Sequence, residues 1–290
     1  MTEFNKGIIS TFVGSFWWGV IGVIYFKYIS FVNPLEVVSH RVLWTIVFLF
    51  IVILLKGRIN LILITLKDTK KAFLLLLSGI FIFLNWATWI YAISINKLIE
   101  ASFGYYIFPI LSVFLGSIFL SEKLNFKKKI SIFIIIISIF YMMYFLEDFP
   151  WIGLVVAFSF SIYALLRKIA LADTDIGLLI ESLFLIPIII VIFYNLNIRE
   201  EIFFSIQNIN LAMILILAGP MTVIPLFLFV KGSELSGLGP ASMIFFVAPT
   251  GQFLLGLYLY NEPFMLNKFI GFILIWIAVL IYLRDLYENN

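Results

Sequence analysis

The sequence predicts an all-α integral membrane protein of about ten transmembrane helices. Three observations lead to this fold class: an excess of apolar residues, their grouping into runs of spanning length, and the placement of basic residues between those runs. Of the 290 residues, 63% are hydrophobic and 12% are charged, and the mean hydropathy is +1.15. Soluble domains have about 45–50% apolar and about 25% charged residues. A chain this apolar needs a bilayer as its solvent.

Ten apolar runs are long enough to cross a bilayer, which takes about 20 mostly apolar residues each. They cover residues 8–27, 35–55, 72–94, 99–120, 130–147, 150–167, 176–195, 209–230, 237–259 and 266–283. No small-residue cleavage site follows the first run, so we expect it to be a helix of the mature protein. Only the connections 56–71 and 196–208 have any length, and we therefore expect function to reside among the helices.

Basic residues predict the orientation, because Lys and Arg are enriched in cytoplasmic loops. With the first residue inside, fourteen basic residues fall on the interior side: Lys6, Lys56, Arg58, Lys67, Lys70, Lys71, Lys123, Lys127, Lys128, Lys129, Arg167, Lys168, Lys231 and Arg284. Four fall on the exterior side: Lys27, Lys97, Arg199 and Lys268. This bias predicts an even number of helices with both termini in the cytoplasm.

The two halves of the chain share residues at a fixed offset of 140 positions. The matched pairs are Ala101/Ala241, Ser102/Ser242, Pro109/Pro249, Leu115/Leu255, Gly116/Gly256, Glu122/Glu262 and Lys128/Lys268. We interpret them as a duplication, with a first five-helix repeat at 1–147 and a second at 148–290. Since five is odd, tandem copies face opposite ways across the membrane, as in many secondary transporters. Alternatively, the duplication only builds a symmetric bundle.

The composition excludes several kinds of site. Without cysteine the chain has no disulfide or thiolate chemistry, and a single histidine rules out a histidine-rich metal site. The sequence contains neither G-x-x-x-x-G-K-[ST] nor H-E-x-x-H. The basic residues lie in short clusters between apolar runs, which is not a nucleic-acid pattern. We therefore expect no cofactor, no metal, no nucleic-acid partner and no enzymatic activity.

Several longer stretches carry a resemblance to a known family. They are residues 16–19 (FWWG), 25–27 (YFK), 36–44 (EVVSHRVLW), 85–86 (NW), 100–109 (EASFGYYIFP), 159–168 (SFSIYALLRK), 181 (E), 225–226 (PL) and 249–250 (PT). In these the chain resembles the drug/metabolite transporter superfamily, its EamA branch, and the RarD-like proteins within that branch. Phe108 and residues 238–243 depart from the RarD pattern, and the second stretch is closer to other EamA members.

The resemblance implies a ten-helix exporter or permease with two inverted five-helix repeats and a central cavity of alternating access. RarD-like proteins are named for a predicted role in chloramphenicol sensitivity. We thus expect a secondary active transporter, in contact with membrane lipid, that moves a small organic metabolite or drug and is coupled to protons. The alternative is a membrane-embedded enzyme acting on a lipid-like substrate, which would need clustered carboxylates or histidines at one membrane face.

Polar residues inside the predicted spans are the site candidates, because an ionisable group in the bilayer costs roughly 3 kcal/mol or more. The second span holds Glu36, His40, Arg41 and Trp44. We expect Arg41 to pair with a carboxylate of the substrate or of another helix, and His40 to tune protonation near neutral pH. The alternative is a structural ion pair between Glu36 and Arg41 near the outer interface.

The other candidates lie in later spans. Asn85 and Trp86 contact either the solute or a neighbouring helix. Tyr105, Tyr106 and Tyr163 are either aromatic walls with hydroxyl groups or packing residues. Glu181 occupies a place comparable to that of Glu36 and is a candidate for proton coupling. Beyond these, Pro109 and Pro249 are hinge candidates, Arg167 and Lys168 form a positive-inside anchor, and Glu122 and Glu262 are loop residues.

Overall fold

The computed structural model describes residues 2–122, 124–145, 149–261 and 264–289, with the backbone alone at Lys268, Tyr287 and Asn289. All regular secondary structure within these ranges is helical. The long helical segments of this part of the chain number ten: α1 (Glu3–Tyr28), α2 (Pro34–Leu55), α3 (Thr69–Ser94), α4 (Leu98–Phe119), α5 (Phe126–Tyr144), α6 (Trp151–Ala170), α7 (Thr174–Phe184 and Ile186–Ile198), α8 (Ile209–Ser236), α9 (Leu238–Ile244 and Val247–Leu259) and α10 (Leu266–Asn289).

Eight of these segments are long and apolar enough to cross a membrane, and the two parts of α7, which meet at 45°, make a ninth if they form one span. The remaining segment, α5, has 19 residues and begins with three lysines after Phe126. Its apolar part is about 15 residues or ~22 Å long, less than a ~30 Å hydrocarbon core. The structure therefore supports an all-helical membrane protein with eight or nine clear spans, and α5 as a tenth stays a prediction.

Polar residues at the helix starts explain several boundaries. The Oδ1 atom of Asn33 accepts a hydrogen bond from the Leu35 amide at 3.0 Å, just before Pro34 opens α2. Asp68 caps α3 and Asn125 caps α5 in the same way, at 3.1 and 3.0 Å. The first amides of a helix have no intrahelical acceptor, so these side chains fix where each helix begins.

Several contacts between helices have a counterpart elsewhere in the bundle. Adding five to one helix number and subtracting five from the other converts one contact into its counterpart. Helix α1 packs on α8, and α6 packs on α3. Likewise α2 contacts α8 while α7 contacts α3, and α4 contacts α6 while α9 contacts α1. The contacts α2–α7, α4–α9 and α5–α10 join helices that are five places apart in the order of the chain. The predicted boundary between the halves, at 147/148, lies outside the described residues.

Both ends of the chain lie at one end of the bundle, which we call the terminal face. Phe4 and Leu286 line the same cavity there, and Lys127 at the start of α5 pairs with Glu288 near the end of α10. The other end, which carries the loops after α1, α3 and α7, is the opposite face. An even number of crossings gives this arrangement.

The structure adds features that the sequence did not predict. The connection 56–71 contains a short helix, Ile59–Lys67, and α1 contains a π-helical turn, Trp17–Gly22. Glu122 is a loop residue after α4, as predicted, and its carboxylate accepts hydrogen bonds from the amides of Leu238 and Gly239 at 2.7 and 2.9 Å. It thus caps α9, a favourable place for a negative charge. Glu262, its predicted equivalent, lies outside the described residues.

We predict that both termini face the same compartment. Because the chain has no cysteine, single cysteines can be introduced at Thr2, at Arg284 and, as the control for the opposite face, at Arg199. Thr2→Cys and Arg284→Cys should react with a membrane-impermeant maleimide only after permeabilisation of the cells, and Arg199→Cys in intact cells. Unequal labelling of the first two variants would contradict an even number of spans.

Candidate functional site

The guanidinium of Arg41 lies inside the bundle, with 1% of the residue exposed. Its Cζ atom is 4.7 Å from the ring centroid of Phe26 in α1 and 4.7 Å from that of Trp86 in α3. The Nε atom donates a hydrogen bond to Oγ1 of Thr222 in α8 at 3.0 Å. Within the described part of the chain, Nη1 and Nη2 have no hydrogen-bond partner. Arg41 thus presents two free donors between two aromatic faces.

Glu36, His40 and Trp44 form a chain of contacts along one face of α2, away from Arg41. The Glu36 carboxylate accepts hydrogen bonds from the amides of Phe203 (2.9 Å) and Phe204 (2.8 Å), and its Oε1 lies 3.6 Å from Nε2 of His40. Trp44 Nε1 donates to Nδ1 of His40 at 3.1 Å. The Glu36 carboxylate therefore binds the segment that precedes α8 to the first turn of α2. Since Arg41 pairs with other groups, the expected alternative of a Glu36–Arg41 ion pair is wrong.

Asn85 joins three helices through its amide group. Its Nδ2 donates to the carbonyl of Val156 and to Oγ of Ser159 in α6, at 3.0 and 3.3 Å. Its Oδ1 accepts from the hydroxyl of Tyr105 in α4 at 3.1 Å. Both amide ends are used, so this geometry favours the role of Asn85 as a link between helices. Tyr106, on the next position, stacks on Phe246 and lies in a separate core with α9 and α10.

Glu181 and Arg167 form a buried ion pair between α7 and α6. Oε1 of Glu181 lies 3.4 Å from Nε of Arg167, and both side chains are 2% exposed. Ser78 of α3 donates to the same oxygen at 2.5 Å. The ring of Tyr163, one turn before Arg167, lies beside the guanidinium. Arg167, expected as a positive-inside anchor, thus lies in the last turn of α6 with its guanidinium buried beside an acid, and its positive-inside role stays a prediction.

Lys168, the second residue of the predicted anchor, has a different partner. Its Nζ donates to the carbonyls of Ser233 and Glu234, at 2.6 and 3.2 Å, in the last turn of α8. Helix C-termini leave such carbonyls free, and a cation is favourable there. Lys168 thus ties α6 to α8 at the terminal face.

The two hinge candidates, Pro109 and Pro249, differ in whether the helix around them is continuous. In α9 the α-helical geometry stops at Ile244 and resumes at Val247, just before Pro249. A proline has no N–H for the carbonyl four residues earlier, here that of Phe245, and this explains the break. In α4 the helix continues through Pro109. Whether either proline acts as a hinge stays a prediction.

A cavity of about 490 Å³ opens at the terminal face between the ends of α2, α6 and α8 and the start of α7. We call it the vestibule. Its described lining consists of Lys56, Arg58, Arg167, Lys168, Leu171, Ala172, Asp173, Thr174, Asp175, Phe227, Lys231 and Glu234. The vestibule is therefore polar, unlike the aromatic surroundings of Arg41.

Comparison with known proteins agrees with a carrier. The model of the EamA-like transporter family matches residues 5–144. The uncharacterized transporter YojE of Bacillus subtilis (strain 168) is 32% identical over 284 residues, which cover 97% of this chain and 94% of the relative. The protein RarD of Salmonella typhi is 30% identical over 281 residues, or 97% and 95% of the two chains.

The chain belongs to the EamA-like transporter family. Its likeness to RarD extends over nearly the whole length, so this EamA-like protein is a RarD-like permease of the drug/metabolite transporter superfamily, as its sequence motifs predict. A chloramphenicol-sensitive protein RarD of Pseudomonas aeruginosa is 25% identical over 265 residues, or 88% of this chain and 87% of the relative. The protein is thus a multi-pass membrane transporter.

Sequence reasoning missed several residues around the buried charges. Phe26 and Thr222 contact Arg41, and Ser78 contacts Glu181. Gln252 in α9 is fully buried, and neither end of its amide has a hydrogen-bond partner among the described residues. The available signal for Gln252 was its position within the predicted span 237–259. For Phe26 the signal was its place in the stretch 25–27 that carries the resemblance, and for Thr222 there was none, since contacts between distant helices decide its role.

We predict that Glu36 stabilises the folded protein through its hydrogen bonds with the amides of Phe203 and Phe204. Glu36→Ala removes the only acceptor that the structure gives to two amides, and charge-assisted hydrogen bonds contribute about 1.5–3 kcal/mol each. We expect Glu36→Ala to destabilise the protein by about 3 kcal/mol and Glu36→Gln by less, because the amide oxygen still accepts. Thermal unfolding of the purified protein, followed by tryptophan fluorescence, measures both.

The matched control is Glu3→Gln, which neutralises an exposed acid on α1. It should leave the unfolding temperature almost unchanged. Equal unfolding temperatures for wild type and Glu36→Ala would contradict the anchoring role of Glu36.

Proposed function

We propose that the protein is a secondary active transporter that carries a small organic solute with a carboxylate group across the plasma membrane by alternating access. The observation that carries this proposal is Arg41, a buried guanidinium with two free donors between two aromatic rings. A transporter of organic solutes needs apolar walls with a few well-placed polar groups. We infer that no enzymatic step accompanies transport, since the relatives are named as transporters.

The chemistry of Arg41 favours a carboxylate as its ligand. A guanidinium offers parallel N–H groups that match the two oxygens of a carboxylate. Unlike Arg167, Arg41 forms no ion pair with an Asp or Glu of the described residues. Of the two expected partners, a carboxylate on another helix and one on the substrate, the second therefore has the better support. Aromatic faces at 4.7 Å stabilise the charge of the guanidinium.

Contacts related by exchange of the halves support an inverted repeat of five plus five helices. Gly79 in α3 and Gly219 in α8 are 140 positions apart and make equivalent contacts. A Cβ atom on Gly79 would lie 3.0 Å from the carbonyl oxygen of Glu181 in α7, and one on Gly219 would lie 2.5 Å from that of Trp44 in α2. Both glycines thus allow close approach of the second helix of the other half. Two oppositely oriented halves can exchange conformations around one site.

The two faces of the bundle differ as alternating access requires. At the opposite face, Glu36 binds the amides of Phe203 and Phe204, and Asn33 donates to Glu201 at 2.8 Å. At the terminal face, the vestibule is open. We propose that these features represent the state that is closed outside and open to the cytoplasm, with ten spans and both termini inside. Loading from the cytoplasm favours export.

Glu181 is the best candidate for proton coupling. It is a buried carboxylate whose charge depends on Arg167, and it lies near the vestibule rather than at the sealed face. Glu36, the other candidate, is occupied by two backbone amides. Of the two carboxylates, only Glu181 therefore has a cationic partner, Arg167, to which another anion can bind in its place. A drug or a small metabolite that carries a carboxylate is within the class that we propose.

We predict that Arg41→Lys reduces transport by about tenfold in kcat/KM or more, or ~1.4 kcal/mol. Lysine keeps the charge but loses the planar pair of donors. The measurement is uptake into proteoliposomes of a panel of labelled organic acids and their uncharged amide analogues. Arg284→Lys, at an exposed position, is the matched control and should transport as the wild type does. Normal uptake by a well-folded Arg41→Lys variant would refute the role of Arg41.

We predict that Glu181→Gln lowers the pH dependence of flux more than it lowers stability. The amide cannot exchange a proton, so flux should no longer respond to an imposed proton gradient. Uptake at several external pH values, together with the unfolding temperature, separates the two effects. A pH response equal to that of the wild type would exclude Glu181 as the coupling group.

A further inference from the structure

The vestibule contains two basic residues whose charge no other described lining residue neutralises. Its acids are already engaged: Asp175 pairs with Arg58 at 2.9 Å and with Lys56 at 3.4 Å, Asp173 pairs with Arg58, and Glu234 pairs with Lys231 at 3.0 Å. Arg167 and Lys168 are left at the inner end, where they also line a smaller adjoining cavity. Apart from the pairing of Arg167 with Glu181, which is not among the described lining residues, these two cations are therefore open to an anion from the vestibule.

Arg167 has donors available at this point. Its Nε faces Glu181 and its Nη2 donates to the carbonyl of Thr174 at 3.4 Å, but Nη1 has no hydrogen-bond partner among the described residues. The residue is only 4% exposed and nevertheless lines the vestibule. A Cβ atom on Gly177 would lie 1.9 Å from Nη1, so glycine at that position makes the room in which the guanidinium lies.

We propose that the inner end of the vestibule is a second binding site, at which a small organic anion binds Arg167 and Lys168 and displaces Glu181 from Arg167. This proposal rests on the proposed transport function and names a loading site distinct from Arg41. A carboxylate bound by Nη1 and Nη2 of Arg167 gains two parallel hydrogen bonds, whereas Glu181 now reaches Nε alone, at 3.4 Å. In the proposed complex, Ser78 still donates its hydrogen bond to the Glu181 carboxylate after the anion has taken the place of Glu181 at Arg167.

Depth along the membrane separates the two arginines. Arg167 is three residues from the end of α6 at the terminal face, or about 5 Å, and Arg41 is seven residues from the start of α2 at the opposite face, or about 10 Å. In a hydrocarbon core of ~30 Å the two sites are therefore roughly 15 Å apart. A solute entering from the vestibule meets Arg167 first.

The test is the binding of benzoate to the full-length protein in detergent, with the neutral analogue benzamide as the ligand control. The shift of the unfolding temperature of each variant, relative to the same variant without ligand, gives the dissociation constant. We expect benzoate, and not benzamide, to stabilise the wild type. Glu181→Gln removes the competing carboxylate and should tighten benzoate binding by about tenfold.

A second variant keeps the test valid if an unpaired charge prevents folding. The double variant Arg167→Gln with Glu181→Gln removes both charges of the pair and should weaken benzoate binding by more than tenfold. Arg284→Gln, which removes one exposed positive charge from the same face, should bind as the wild type does. If Arg167 and Glu181 form only a structural ion pair, Glu181→Gln should not tighten the binding of benzoate.

The outcomes distinguish this site from the proposed transport function. Unchanged benzoate binding in the double variant, or no binding by the wild type, overturns the loading site, while flux that depends on Arg41 would still support transport. Binding that requires Arg167 supports the loading site even if no acid of the uptake panel is transported. Equal effects of benzoate and benzamide overturn the assignment of an anion.

Discussion

The charge of Arg41 in an apolar bundle is the constraint on which the central part of the structure depends. A buried charge is unfavourable unless other groups replace its lost hydration. Here the replacement comes from two aromatic faces and one hydroxyl, supplied by α1, α3 and α8. These helices must therefore meet α2 at the depth of Arg41. The partial compensation leaves two donors free, and this connects the packing of the bundle with the recognition of a solute.

The buried carboxylates follow the same rule with different partners. Glu36 at the opposite face and Glu122 at the terminal face each bind a pair of backbone amides, at Phe203 and Phe204 and at the start of α9. Both acids belong to the first half of the chain and both pairs of amides to the second. Contacts of this kind therefore join the two halves of the chain at both ends of the bundle.

Much of the fold follows from the sequence, because spanning helices depend on the length of apolar runs and on local caps such as Asn33 and Asp68. The sequence also singled out Arg41 and Glu181, since a charge within a span is unusual. It did not distinguish a buried arginine from an interfacial one, because both occur near helix ends. The sequence predicted a positive-inside anchor at Arg167 and did not indicate its burial. Its burial depends on Glu181 and on the absence of a side chain at Gly177, which are contacts between helices.

The contrast between Arg41 and Arg167 has a consequence for transport. A carrier must bind its solute strongly enough to select it and weakly enough to release it. Arg41 has no described acidic partner and keeps its free donors for the solute, whereas any anion at Arg167 competes with a carboxylate 3.4 Å away. The intramolecular competitor weakens binding at Arg167 without removing its selectivity for anions. In the proposed mechanism, the competing carboxylate lets a solute leave Arg167 again, so that Arg167 serves loading and Arg41 serves recognition. Thr222 and Trp86 contact Arg41 from different halves of the chain, so a relative movement of the halves in the proposed alternating access would change the surroundings of Arg41.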